Sequence, residues 1–551
     1  MNPLYPAARE KLFGFELSFY DELILLIFSW LSAQDLCTAQ AVNRNWARLA
    51  RDQQLWKTLY MRTHGRERLR GSRGHSVSAA DSSASEDEAR PSHRRQGLHG
   101  KDWKWMFRVS SNWRNVGRCA FDTALLNDSS ASTAKDLSQR SHIILAEGMT
   151  FMASSAPSSD PAIVVTAYRD RAEATYRLYS SSCAPDVGQS YVTALCVDQN
   201  RGQAHAIDDC VVRVVAFYSN SSLAIFSVPV FDPSSYSEYA VLGRLGASGL
   251  ITHATYQHPL LVGLSDDFTL TVYNIQEPDN KSGPSATRIQ SLKSFTSFPP
   301  SSMVLSSRPS ARSGHTTYKL VLSYAVPMYP AHWSLGVTDL TILRHDADCF
   351  VDRSRSVRAS GSSLPPTPAV PRTISTRSPP RRISTPAEAA PIEGASQSGY
   401  SEADDPELQH ARLQMSLERE QWARKVARVV ATETDGRWVV LAGDQDGASL
   451  QVYRLSGAKL VFVRNLFGHR SVVSALAVAD GRCVSLGRAG EVWAWDLQEG
   501  TGVEVDGPPE DGLLEYSEGT PSREAHPTIA FDERRIWCKW GNEIQIRRFD
   551  H

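Results

Sequence analysis

GHRSVVSALAVADGRCVSLGRAGEVWAWDL, residues 468–497, decides the fold of most of this chain. After Gly468-His469 comes an alternating apolar run over residues 472–478. Alternation with period two sets apolar side chains on one face of a strand. Asp480-Gly481 reads as a tight turn, because that dipeptide tolerates the left-handed backbone a short hairpin needs. Residues 482–486 return, a second turn falls at 487–490, and Val492-Trp493-Ala494-Trp495-Asp496 closes the unit. The segment spells strand, turn, strand, turn, strand.

The same cadence runs through much of the remaining sequence. Residues 426–455 hold a strand, an Asp435-Gly436 turn and two more apolar runs; residues 250–275, 191–228 and 526–549 repeat the rhythm, and looser units lie at 141–180 and 295–344. About seven units at an irregular period argue a repeat architecture in which neighbouring sheets cover one another. The final unit lacks an outermost strand, and an exposed edge invites aggregation. A strand-like stretch at 118–126 is therefore expected to fill that place and latch a ring.

The Gly468-His469 start and the Trp495-Asp496 finish resemble the signature of a WD repeat. The resemblance implies a seven-bladed β-propeller. It also implies that the His and Asp of a blade knit its turns by hydrogen bonds while the Trp packs between blades. His469, Asp480 and Trp495 are accordingly read as structural.

A different pattern precedes the repeats: FYDELILLIFSWLSAQDLCTAQAVNRNWARLARDQQLW, residues 19–56. Leu23, Ile27 and Leu31 stand four apart, with Ile24 and Phe28 on an adjoining stripe, so apolar residues occupy more than one face of a helix. Ser32 and Asp35 have capping-box spacing at the start of a second helix. Val42, Trp46 and Leu49 make the apolar face of a third, and Leu55 and Trp56 continue it. So short a segment cannot enclose a stable core alone. It either packs on another part of the chain or docks on a partner.

These residues resemble the F-box at Glu22, Leu23, Ile27, Phe28, Leu31, Asp35, Leu36, Val42, Arg44, Trp46, Leu49, Leu55 and Trp56. The departure is Phe19-Tyr20 where the family has Leu-Pro, which removes a rigid first-turn residue. The resemblance implies docking on a Skp-type adaptor and through it on the cullin scaffold of an SCF ubiquitin ligase. The adaptor-binding set it implies is Phe19, Leu23, Ile24, Ile27, Phe28, Leu31, Asp35, Leu36, Val42, Trp46, Leu49, Leu55 and Trp56. The competing reading is a helical piece that buttresses the domain after it. Residues 101–119, with Trp103, Met106 and Phe107 at helical spacing and Asn112-Trp113-Arg114 before a strand, are similar to the connector of F-box/WD-repeat proteins.

The expected organisation is multidomain, α plus all-β. An F-box lies at 15–64, a disordered linker at 65–100, a helical connector at 101–117, the first part of the propeller at 118–351, a disordered insertion at 352–407 and the last part at 408–551. Both polar tracts lack the apolar residues needed to offset ordering entropy. They carry candidate phosphosites at Ser85, Thr367, Ser378, Ser384 and Thr385, and a charged helix is expected over 408–426.

The 551 residues have a net charge of −1, which argues against nucleic-acid or acidic-membrane binding. Eight cysteines without metal-ligand spacing, and no leader segment, read as reduced thiols of a cytoplasmic or nuclear protein. The longest apolar run, residues 23–28, is too short for a bilayer span. No phosphate-binding loop, nucleophile elbow, zinc-protease or kinase motif occurs. Catalytic residues, metal and cofactor are thus expected to be none, with Cys37 read as a small core residue. The expected role is substrate receptor, acting by proximity; the alternative is an adaptor-bound scaffold without ligase output. Arg470 and Arg488, in loops of the same blade, are candidate target-binding residues because guanidinium groups suit anionic ligands. The preferred reading is nonetheless a pair of solvated loop arginines, and the corresponding loops at Asp266-Asp267 and Asp444-Gln445-Asp446 are acidic.

Overall fold

The computed structural model describes residues 19–64, 103–114, 119–125, 141–169, 172–183, 188–199, 211–241, 249–276, 285–294, 297–309, 316–328, 332–345, 348–359, 426–444, 449–457, 459–505, 527–540 and 543–550. The tract 65–100, the candidate phosphosites and all but the last residue of the helix expected over 408–426 lie outside the described residues.

Seven four-stranded antiparallel sheets follow one another. Blades one to six span residues 141–179, 192–241, 251–293, 298–358, 429–466 and 473–505. Blade seven joins three late strands, Thr528–Phe531, Arg535–Trp540 and Glu543–Arg548, to the early strand Ala120–Leu125. That early strand lies at the edge, antiparallel to Glu543–Arg548, with Ala120 opposite Arg548 and Leu125 opposite Glu543. The two ends of the β-rich chain thus share one sheet, the latch that edge chemistry demanded.

Each sheet buries both faces against its neighbours, which is why strands such as Leu260–Ser265 are buried at every position. Phe151, Val165, Val214 and Phe226 fill the seam between blades one and two, and Leu145, Trp537, Ile544 and Ile546 that between seven and one. Trp495 packs with Trp438 and Val440 between blades five and six. Its Nε1 donates to Ser485 Oγ at 2.7 Å, and that hydroxyl also meets His469 Nε2 at 2.6 Å.

Asp480 does not close this network. It sits at a hairpin tip with φ 47°, one strand length from His469. The carboxylate beside His469 is Glu491, whose Oε1 stands 3.5 Å from Nδ1. Burial holds the imidazole below its usual range, although Glu491 pulls the other way, so a neutral ring lies beside a carboxylate. Burial pushes Glu491 up, but hydrogen bonds from the Ser471 hydroxyl (2.6 Å) and N–H (2.8 Å) win and hold it below the usual carboxylate range.

Blade four departs from its expected boundary. Its outer strand Asp348–Arg358 runs on through residues 352–358, with Arg353 opposite Thr341 and Arg358 opposite Gly336. Alternating Ser and Arg on a solvent-facing edge strand have the same composition as a disordered tract, yet they protect the edge.

Ahead of the ring, helices α1 (Asp21–Phe28), α2 (Ala33–Ala39), α3 (Arg44–Leu49) and α4 (Gln53–His64) form a compact module, and α5 (Trp103–Arg114) links it to the blades. Side-chain caps set the starts: Ser32 Oγ accepts from Asp35 N (3.2 Å), Asn43 from Trp46 N (2.8 Å), and Asp52 from Gln54 N (2.8 Å). Among the described residues no helix is long and apolar enough to cross a membrane.

Candidate docking site

The helical module is built around Ile24, Phe28, Leu36, Leu49, Leu55 and Trp56, all buried. Phe28 meets Trp46 edge to face at 5.4 Å, and Trp56 Nε1 donates to Ala50 O at 2.8 Å. The connector completes this core. Phe107 packs on Trp56 at 5.7 Å and on His64 at 4.8 Å, Trp103 packs on Tyr60 at 5.5 Å, and Lys104 Nζ donates to Gln40 Oε1 at 2.6 Å.

The thirteen residues expected to bind an adaptor therefore divide. Ile24, Phe28, Leu36, Leu49, Leu55 and Trp56 face inward and cannot touch a partner; they hold the module's shape. Trp46 and Leu31 are half-buried against that core. Phe19, Leu23 (45 % exposed), Ile27 (43 %), Val42 and Asp35 remain outside. Beside them stand side chains absent from the expected set: Tyr20, Leu26 (60 %) and Trp30 (80 %). The reason is rotational. Ile24 and Phe28 take the inner stripe of α1, which leaves Leu23, Leu26 and Ile27 on the outer one, with Trp30 in the turn that follows. Cys37 is likewise exposed rather than in the core, since Leu36 and Ala39 supply the inward positions of α2.

At its other end α5 is bolted to blades six and seven. Asn112 Nδ2 donates to Phe549 O (2.9 Å) and Trp113 Nε1 to Glu533 O (3.1 Å), while Arg114 pairs with Asp496 at 3.5 Å. The Trp113 ring stacks on Phe549 at 4.1 Å and 22°, and Arg534 lies over Trp105 at 4.6 Å. All three residues of the Asn-Trp-Arg triplet thus serve the joint.

The joint grips one end of blade six, where Arg482 and Asp496 are paired in register. Arg470 and Arg488 occupy the opposite end, beyond Leu486 and Val492, and both are exposed. Arg470 reaches Glu504 at 3.4 Å. Of the acidic loops, Asp267 is engaged by Lys293 at 2.9 Å.

Burial pushes the Cys483 thiol well up, with Glu433 and Asp435 adding to the effect, and pushes Cys538 up to about 11, so neither offers a thiolate near neutral pH. Among the described residues no group of three or more His, Cys, Asp or Glu could hold a metal.

A helical module with an uncovered apolar stripe, fixed to a seven-bladed ring, is an architecture typical of non-catalytic adaptor and receptor proteins. Residues 21–62 match the family described as F-box-like, and residues 145–406 match the F-box protein pof12 beta-propeller. The chain is an F-box protein with a β-propeller. No curated protein matches it. It is similar to the solved WD40 beta propeller domain of Doa1 (11 % identity over 72 % of this chain and 88 % of that one, TM-score 0.30). It is also similar to the Myceliophteria thermophila Cps50 (Swd1) beta-propeller domain (11 %, 72 % and 92 %, 0.31) and to Saccharomyces cerevisiae Sqt1 (6 %, 73 % and 93 %, 0.34).

Proposed function

We propose that this protein is the substrate-recognition subunit of an SCF-type ubiquitin ligase. The F-box docks a Skp-type adaptor, the adaptor brings a cullin, and the propeller holds the target. The chain transfers no ubiquitin itself; it raises the local concentration of a target lysine at the conjugating enzyme. Such a complex works in the cytoplasm or nucleus.

The observation that carries this reading is the outer stripe of α1 and the turn after it, where Leu23, Leu26, Ile27 and Trp30 stay exposed while Ile24 and Phe28 are buried in the module's core. Exposed apolar side chains gathered on one element mark a protein-binding surface. Burying such a stripe yields about 25 cal/mol per Å².

The test is capture of purified Skp-type adaptor by the full chain and by L23D/I27D. Both sites face solvent, so the variant keeps its fold. Capture, and with it the cullin in cell extracts, should be lost. Undiminished capture by L23D/I27D overturns the reading. Adaptor capture without accumulation of any protein after deletion of the gene points instead to a scaffold.

A further inference from the structure

Two hairpin tips meet where blade five faces blade six. In blade five, Asp435 sits in the turn between strands Val429–Thr434 and Trp438–Gly443. Its carboxylate is buried, and Oδ1 accepts from Arg437 N at 2.9 Å and from Trp438 N at 2.7 Å, which closes its own turn. The other oxygen reaches out of the blade. Oδ2 accepts from Gly481 N at 2.8 Å, in the hairpin tip of blade six. Burial pushes this carboxyl up, although the three N–H groups pull the other way.

The tip that receives this bond also meets the connector. Asp480 and Gly481 both have left-handed backbones, φ 47° and 71°, so the turn has one tight shape. Gly481 O accepts from Leu497 N at 2.9 Å, which ties the tip to its own blade. The next residue, Arg482, lies over the Trp113 ring at 5.4 Å, and that ring is the one through which α5 stacks on Phe549. Burial holds the Arg482 guanidinium below its usual range, while Tyr60 of α4 and Glu533 pull the other way. This side chain is thus enclosed where the F-box module and the ring come together.

We infer that Asp435 is a positioning residue for the F-box module: from blade five it fixes the blade-six tip whose Arg482 covers Trp113, so the seam between these blades sets the stiffness of the joint. The route runs Asp435, Gly481, Arg482, Trp113. A carboxylate suits the first place because it offers only acceptors to three backbone donors. Asn at 435, in either orientation of its amide, turns an amino group toward one of those donors, and a buried N–H without an acceptor is destabilising. The coupling is a property of this chain alone. That it governs where a held target meets the conjugating enzyme rests on the receptor reading, since small errors of placement are costly for a group that acts by proximity.

The test is amide hydrogen exchange of the full chain as wild type, D435N, D435S, R482A and D435N/R482A. Ser keeps an acceptor for the turn of blade five but is too short to reach Gly481. Either substitution at 435 should raise exchange along α5 at least about tenfold, as expected for loss of one bond to a charged group, and R482A should do likewise. Because Asp435 acts through Arg482, the double variant should match R482A within about twofold rather than multiply the two effects. Strand Trp438–Gly443 should exchange as in wild type, and adaptor capture should be the same for all variants. The proposal is overturned if D435N and D435S leave α5 as protected as in wild type, or if the effects of D435N and R482A multiply. It is equally overturned if blades five and six lose as much protection as α5, which is what a merely structural carboxylate would give. Failure of wild type to capture adaptor would count against the receptor reading alone, and leaves the exchange result standing on its own.

Discussion

Trp113→Ala should free the F-box from the ring without opening the ring. Trp113 is 5 % exposed, stacked on Phe549, bonded through Nε1 to Glu533 O and capped by Arg482 at 5.4 Å. Truncating a buried Trp to Ala costs about 3–5 kcal/mol. Within that total the ring stack accounts for about 1 kcal/mol and the hydrogen bond for another ~1 kcal/mol. Phe at this position keeps the stack and loses the bond, so its cost should be about 1 kcal/mol. The loss falls on α5, because blades six and seven keep Val484, Val492, Ile536 and Phe549 in contact across their seam. Amide hydrogen exchange resolves the two cases. A local opening cheaper by about 3 kcal/mol raises exchange along α5 roughly a hundredfold, while exchange in strands such as Arg482–Gly487 stays as in wild type. Unchanged protection of α5, or equal loss in all blades, would refute the idea that Trp113 is the bolt of a separable joint.

Removing residues 119–125 strips the edge strand from Glu543–Arg548 and takes Phe121 from beneath Arg547 (5.2 Å); thermal unfolding should come about 5 °C earlier or more, with aggregation. A circular permutant that restores the strand should recover both. The buried His469 predicts a pH dependence. Its pKa is lower in the folded state, so the unfolded chain binds the extra proton between that value and about 6.5. Its stabilising share is complete above about pH 6.5 and falls as the solution turns acid, by at most about 1.4 kcal/mol per pH unit. Melting of wild type and His469→Gln from neutral to pH 5.5 should converge if this is right, and run parallel if the imidazole is already charged.

Much of the ring could be read from the chain because its determinants are local. Alternation, Asp-Gly turns and the Gly468-His469 to Trp495-Asp496 unit announce strands wherever they occur, and the missing edge of blade seven pointed to residues near 118–126. What stayed hidden depends on neighbours distant in sequence. Nothing near Glu491 says that it, rather than Asp480, lies beside His469; that follows only when the two turns meet at one end of a blade. The helical periodicity of α1 marked apolar positions but not which stripe would be inward, since both stripes are apolar. The inner one is chosen by contacts with α3, α4 and, from far along the chain, Phe107 and Trp103. Trp30 escaped notice for the same reason: it lies in the turn after α1, outside the helical pattern. The strand continuing to Arg358 was illegible because hydrogen bonding to the neighbouring strand, not side-chain burial, holds its Ser and Arg residues.

The account turns on whether a foreign surface covers the outer stripe of α1. Hydrogen exchange of the full chain, with and without purified Skp-type adaptor, measures that directly. Slower exchange is predicted over residues 19–31 and around Val42, with the seven blades unchanged. Identical exchange there at saturating adaptor, or protection confined to the blades, would contradict it.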